Sequence, residues 1–272
     1  MTGRALCAAE DIHYIDLTGG TATGRKVAAQ AGERLIRTTM ELGGKTPIIV
    51  CEDADLEGAI AGTLFAAFVA SGQTCVSGAR FIVHDSIYDR FTEGFAARAD
   101  AITIGDPMAD ETQMGPVISK DSQDRCARMI ARARADGAVQ VAGLTAPDLE
   151  APFDKGYYVR PTVFKDVKPD QELFLEEVFG PVISVTPYKD EEDALALANT
   201  GTFGLGVSIW SRDIARAHRL SLGVRGGVVW LNDHHRNDPR SVWGGVRDSG
   251  FGKENGWDAL KAFLTKKSVV VR

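Results

Sequence analysis

Cys75 stands in the run Ser71-Gly72-Gln73-Thr74-Cys75, just past the apolar segment Leu56 to Phe68 and before Val76-Ser77-Gly78. A cysteine among small residues at the end of a helix meets backbone amides that favour a thiolate and hold an oxyanion. Burial as a structural cysteine is the competing reading, because free cysteine is among the most buried residue types. Glu41 precedes Cys75 by 34 residues, in Glu41-Leu42-Gly43-Gly44-Lys45. Two glycines after a carboxylate make poor helix and poor strand, and they let the backbone turn and approach something closely. A carboxylate placed there takes a proton from a thiol or from an attacking water.

These two segments together resemble the aldehyde dehydrogenase superfamily. The resemblance implies that Glu41 is the general base and Cys75 the nucleophile. Three further segments follow the family's order. Leu17-Thr18-Gly19-Gly20-Thr21-Ala22-Thr23-Gly24 resembles its phosphate-binding turn, although the family usually has serine and glutamate where Gly20 and Ala22 stand. Leu175-Glu176-Glu177-Val178-Phe179-Gly180-Pro181-Val182 resembles its nicotinamide-ribose motif. Trp243-Gly244-Gly245-Val246-Arg247-Asp248-Ser249-Gly250-Phe251-Gly252-Lys253-Glu254 resembles its glycine-rich C-terminal segment.

What the resemblance implies can be stated residue by residue. NAD or NADP is the cofactor, held by Gly19, Gly20, Leu42, Gly43, Glu177 and Phe179. Glu177 bonds the nicotinamide ribose hydroxyls, since a carboxylate accepts two hydrogen bonds from a vicinal diol, and Phe179 packs on the nicotinamide. Glu254 is a second proton-relay acid. The substrate is a small aldehyde, oxidised to a carboxylic acid through a thiohemiacetal and a thioester on Cys75. The chain corresponds to roughly the C-terminal three fifths of a family member. The missing part would hold the first strands of the nucleotide-binding sheet, the lysine for the adenosine ribose and the asparagine of the oxyanion hole. Two other readings are a non-catalytic remnant serving assembly, and a cofactor-free esterase using Cys75 and Glu41.

The elements that must position these residues alternate between strand and helix. Apolar Pro47 to Val50 reads as a strand. Asp55 to Ala70 reads as a helix with Leu56, Ile60, Leu64 and Phe68 on one stripe. Asp53 and Asp55 are expected as caps of that helix. Phe81 to Val83 is a strand, and Ser86 is placed to cap the helix carrying Tyr88, Phe91 and Phe95. Ser119 to Ala135, Asp190 to Ala198, Asp213 to Leu222 and Trp257 to Leu264 read as helices. Val139 to Val141, Tyr158 to Phe164, Val182 to Tyr188, Leu205 to Trp210, Gly227 to Asn232 and Lys267 to Arg272 read as strands. This pattern predicts an α/β layer architecture with mainly parallel pairing. By resemblance it is an aldehyde dehydrogenase-like catalytic domain with the tail of a Rossmann-like nucleotide-binding domain. The expected boundaries are 1–43 for the partial nucleotide-binding domain, 44–250 for the catalytic domain and 251–272 for a C-terminal return whose strand joins a homo-oligomer.

Composition excludes several classes. A net charge of −6 over 272 residues argues against a nucleic-acid groove, and no run of apolar residues is long enough for a membrane span. The N-terminus lacks the apolar run of a signal peptide. Cys7, Cys51, Cys75 and Cys126 are widely spaced, so neither a disulfide framework nor a zinc knuckle is expected, and a reducing cytoplasm is the default. His234 and His235 invite a metal reading, but adjacent strand side chains point to opposite faces. By resemblance their loop lines the substrate tunnel and suits an aldehyde with a polar or aromatic ring substituent.

Overall fold

The segments Thr46–Val50 and Gly206–Trp210 are buried along their whole length, which marks strands covered on both faces. In the computed structural model, which describes residues 2–272, they lie side by side inside a seven-stranded sheet. Its strands are β3 (Thr46–Val50), β4 (Gly78–His84), β5 (Val139–Ala142), β6 (Thr162–Lys165), β7 (Val182–Tyr188), β8 (Gly206–Trp210) and β9 (Val228–Leu231). The spatial order is β5-β6-β7-β4-β3-β8-β9, and all pairs are parallel except β5 with β6. A second, three-stranded sheet joins β1 (Tyr14–Thr18), β2 (Arg37–Glu41) and β10 (Gly250–Phe251), in the order β1-β2-β10.

Side chains alternate across the large sheet, and each face has its own core. Ile48, Val50, Phe81 and Val83 face α3 (Leu56–Phe68) and α4 (Tyr88–Asp100). There Phe81 and Phe95 meet edge to face, with centroids 4.8 Å apart. Ile49 and Ile82 face the other layer, with α5 (Lys120–Ala135), α7 (Glu191–Ala198) and α8 (Ile214–Gly223) contributing Cys126, Met129, Leu197 and Leu220. The remaining helices are α1 (Thr2–Ala8), α2 (Thr21–Glu33), the single turn α6 (Glu172–Leu175) and α9 (Gly256–Ala262). Asp190 and Asp213 cap α7 and α8 through their side chains.

Five expectations are corrected. Asp53 does not cap α3: its carboxylate accepts from the Ser211 hydroxyl and the Asp213 amide and fastens the start of α8. Asp55 stands at the N-cap of α3 without a side-chain cap bond. His84, not Ser86, caps the turn before α4. β6 begins at Thr162 and not at Tyr158, because the Tyr158 carbonyl accepts from Gln123 and Pro161 has no N–H to give a ladder. Lys267–Arg272 forms no strand. Val269, Val270 and Val271 are exposed and pair with no strand edge, and an unpaired segment is not a strand. No described helix is long and apolar enough to cross a membrane.

Candidate active site

Cys75 owes its place to a kink. Helix α3 stops at Phe68, and Ala70, Ser71 and Gly72 follow with φ of 49°, 57° and 70°. Only Gly72 takes this geometry without strain, and a Cβ there would also stand 2.6 Å from the Gly180 carbonyl. The non-glycine residues of the kink are tied down. Ser71 donates to the Gly115 carbonyl at 3.0 Å, and the Gln73 side chain accepts from the Ile118 amide at 2.9 Å. Cys75 thus arrives on a rigid turn between α3 and β4.

The two glycines after Leu42 permit two close approaches. A Cβ on Gly44 would stand 2.3 Å from the Cys75 carbonyl oxygen, and one on Gly43 would stand 2.3 Å from a Glu177 carboxylate oxygen. The Gly44 amide donates to the other Glu177 oxygen at 2.9 Å. Glu177 is thereby held over the Gly43–Gly44 turn, beside Cys75.

A cavity of about 600 Å³ collects these groups. Its lining includes Cys75, Gly19, Gly20, Leu42, Gly43, Glu177 and Phe179, so every residue assigned to the cofactor faces one space with the proposed nucleophile. Gly19 and Gly20 form the turn between β1 and the thirteen-residue α2, with Gly20 at the N-cap and open space where its Cβ would stand. The turn is anchored by the Gly19 amide, which donates to the Glu41 carbonyl at 2.9 Å. A larger space of about 950 Å³, lined by Arg37, Lys253, Lys261 and the tail, lies away from Cys75.

Glu41 and Glu254 are not in the lining of the Cys75 cavity. The Glu41 carboxyl is 3% exposed, and neither of its oxygens finds a hydrogen-bond partner. It packs against Gly244, where a Cβ would stand 2.5 Å from one carboxyl oxygen. Burial, then the neighbouring Glu254, raises its pKa to about 7. Burial also raises the Cys75 thiol to about 11, with Glu177 and Glu41 adding to it, while the backbone amides of Cys75 and Val76 favour the thiolate. The thiol is therefore protonated at neutral pH until a base or a nearby positive charge acts on it.

Three contributors were missed in the sequence. Arg125 on α5 lines the cavity and donates to the Val178 carbonyl at 2.6 Å, fixing the segment that carries Glu177 and Phe179. A helical arginine far along the chain gave no motif. Lys45 is 2% exposed with an unpartnered ammonium, and burial pushes its pKa down to about 7. Arg80 donates to the carbonyls of Lys45, Thr200 and Ala198 and lies over the Phe174 ring at 4.8 Å, locking the base of the turn.

The histidine pair has separate duties. His234 donates from Nε2 to the Val76 carbonyl at 2.8 Å and so accepts from the Ser208 hydroxyl at Nδ1. Burial lowers its pKa to about 4, consistent with a neutral ring that braces the residue after Cys75. His235 bonds the Thr74 hydroxyl at 3.1 Å and meets Phe65 edge-on.

The aldehyde dehydrogenase family model matches residues 1–269. A betaine aldehyde dehydrogenase of Brucella anthropi is 42% identical over 257 residues, covering 94% of this chain and 53% of the relative. A crystal structure of PnpE in complex with nicotinamide adenine dinucleotide superposes with a TM-score of 0.93 at 41% identity, over 97% of this chain and 54% of that one. A Staphylococcus aureus betaine aldehyde dehydrogenase variant in complex with NAD+ superposes with a TM-score of 0.94 at 33% identity, over 97% and 54%. The chain thus spans about half the length of the relatives it matches.

Proposed function

This chain belongs to the aldehyde dehydrogenase family, and from that premise we propose that it carries the catalytic part of an NAD(P)-dependent oxidation of a small aldehyde to a carboxylic acid. The observation that carries the reading is the shared cavity of Cys75, Glu177, Phe179 and the Gly19–Gly20 turn.

The residues fit the cofactor they would hold. The open amides at the N-terminus of α2 suit phosphate. Glu177, pinned by Gly44, presents its second oxygen to a ribose diol, and Phe179 offers an exposed face to a nicotinamide. When bound, NAD(P) supplies the hydride acceptor. The protein does the rest. The Cys75 thiol gives its proton to water, and its sulfur bonds to the aldehyde carbon. The carbonyl electrons move onto oxygen, beside the Cys75 amide. After oxidation, water attacks the thioester carbon, its proton passes to Glu41, and the carbon–sulfur bond breaks to return the thiolate. A base with a pKa of about 7 is matched to this task.

The domain reading follows the same lines: 1–43 as the tail of the nucleotide-binding domain, 44–250 as the catalytic domain, and 251–272 as a return that joins a homo-oligomer. His235 and Phe65 at the Thr74 edge suit an aldehyde with a polar or aromatic substituent. The test is incubation of the chain with NAD, then NADP, and aldehyde, followed by peptide mapping. An acyl adduct on Cys75 that depends on cofactor and disappears in Cys75→Ser is expected. An adduct confined to another cysteine sinks the assignment.

A further inference from the structure

We propose that His234 and His235 form a clamp on the two residues that flank Cys75, and that this clamp sets the reactivity of the Cys75 thiol. The proposal rests on the reading of Cys75 as the nucleophile. Both histidines act through the turn that carries it and are positioning residues.

Cys75 and Val76 occupy the middle of a tight turn, closed by the Ser77 amide donating to the Thr74 carbonyl at 3.0 Å. The turn offers two handles, the Thr74 hydroxyl and the Val76 carbonyl, and adjacent residues of one loop take both. His234 donates from Nε2 to the Val76 carbonyl at 2.8 Å, and His235 Nε2 bonds the Thr74 hydroxyl at 3.1 Å. Neighbours in an extended strand would point to opposite faces. Here Asn232 and His235 have φ of 53° and 68°, which breaks the alternation and brings both rings to one turn. Asparagine and histidine enter this left-handed region more readily than most residues. The two rings meet with centroids 5.7 Å apart.

The loop that carries the clamp is itself anchored. The Asn232 side chain accepts from the Ser211 amide at 2.9 Å and donates to the Ser211 carbonyl at 2.8 Å. The Trp230 indole donates to the Arg236 carbonyl at 2.8 Å and so closes the loop, and the Asp233 carboxylate accepts from the His234 amide at 2.8 Å. The His234 ring is buried against Trp230, with centroids 4.8 Å apart, and the Val76 side chain packs in the same small core. On the outer side Phe65 of α3 braces the His235 ring. A carbonyl can only accept, so His234 Nε2 carries its proton and the ring works as a fixed donor. A nucleophile reacts fast only when it is aimed. The amides of Cys75 and Val76, which favour the thiolate, belong to the clamped turn, so holding its two flanks fixes the sulfur and its stabilising donors as one unit.

Iodoacetamide labelling of the full chain, followed cysteine by cysteine by mass spectrometry, tests the clamp without requiring turnover. His234→Phe keeps a ring and removes the donor to Val76, while the Ser208 hydroxyl keeps the Asp233 carbonyl at 3.1 Å. Labelling of Cys75 should slow about tenfold, with the buried Cys51 and Cys126 still protected. His234→Gln, whose side-chain amide can donate where Nε2 did, should restore most of the rate. Thr74→Val, which removes the handle of His235 at nearly constant volume, should slow Cys75 about threefold, and Thr74→Ser should not. A Cys75 rate that is unchanged or faster in His234→Phe overturns the proposal. A slower rate that glutamine fails to rescue, or that comes with labelling of Cys51 and Cys126, means that His234 only supports the fold and overturns it as well. Equal rates in the two Thr74 variants remove His235 from the clamp. A wild-type chain in which Cys75 stays unlabelled instead overturns the reading of Cys75 as the nucleophile, and the clamp falls with it.

Discussion

The two sheets meet between Glu41 and Thr46, and they hold their share of the site in different ways. On the seven-stranded side the groups are over-determined. Cys75 is fixed by a kinked turn, Glu177 by a glycine amide, and Arg80 by three carbonyls. On the three-stranded side the groups are under-bonded. Glu41 is buried without a partner, and β1 pairs on one edge only. A nucleophile must be aimed, so rigidity serves it. A base that collects and releases a proton must be free of strong partners, because each hydrogen bond to its charged form would lower its pKa below the working range.

This contrast predicts that stability resides on one side and pH dependence on the other. The largest effect is expected for Arg80→Met, which leaves three carbonyls, two of them buried, without the Arg80 donor. The loss should be about 2–4 kcal/mol of unfolding free energy in urea titration, and a change under 1 kcal/mol would break the claim that this side is locked by Arg80.

Glu41→Gln is expected to do the opposite. The native carboxyl titrates at about 7 against an unfolded value near 4.5, so the folded chain binds more protons between these values. The stabilisation from holding that proton is complete below pH 4.5 and lost as pH rises through 7. The amide, which cannot ionise, should therefore raise stability above pH 7, by on the order of 2 kcal/mol, with little change below 4.5. Turnover in the wild type should climb through pH 7 and flatten above it, and in the variant that step should vanish. Equal stability of the two proteins at pH 8 would show that the carboxyl is less buried than described.

Gly43→Ala sharpens the comparison at the junction itself. The new methyl meets the flexible end of Glu177, which can swing aside, so the melting temperature should fall by only a few degrees. Cofactor affinity should fall about tenfold, roughly 1.4 kcal/mol. Calorimetric titration beside a thermal melt separates the two, and an unchanged affinity would remove Glu177 from the cofactor site.

Much of this was legible beforehand because the signals are local. Pro47 to Val50 and Leu205 to Trp210 read as strands, and Gly19–Gly20 marked a strand-to-helix turn. The Gly43–Gly44 pair marked a close approach, although not what it approached. Lys267–Arg272 misled because a β-rich sequence states a preference for an edge and cannot supply one. Asp53 misled because its cap position before α3 is local, whereas Ser211 and Asp213 reach it from far along the chain.

The sequence by itself determined the residue types of the chemistry and their order, since these depend on side-chain character and on short-range turn geometry. It determined the α/β class as well, through periodicity. Only the tertiary structure decided which groups meet. It placed Arg125 and Glu177 at the Cys75 cavity and turned the Glu41 carboxyl toward Gly244. It also set the titration of Cys75 and Glu41, because desolvation and neighbouring charge come from residues far apart in the chain, and no local pattern records them.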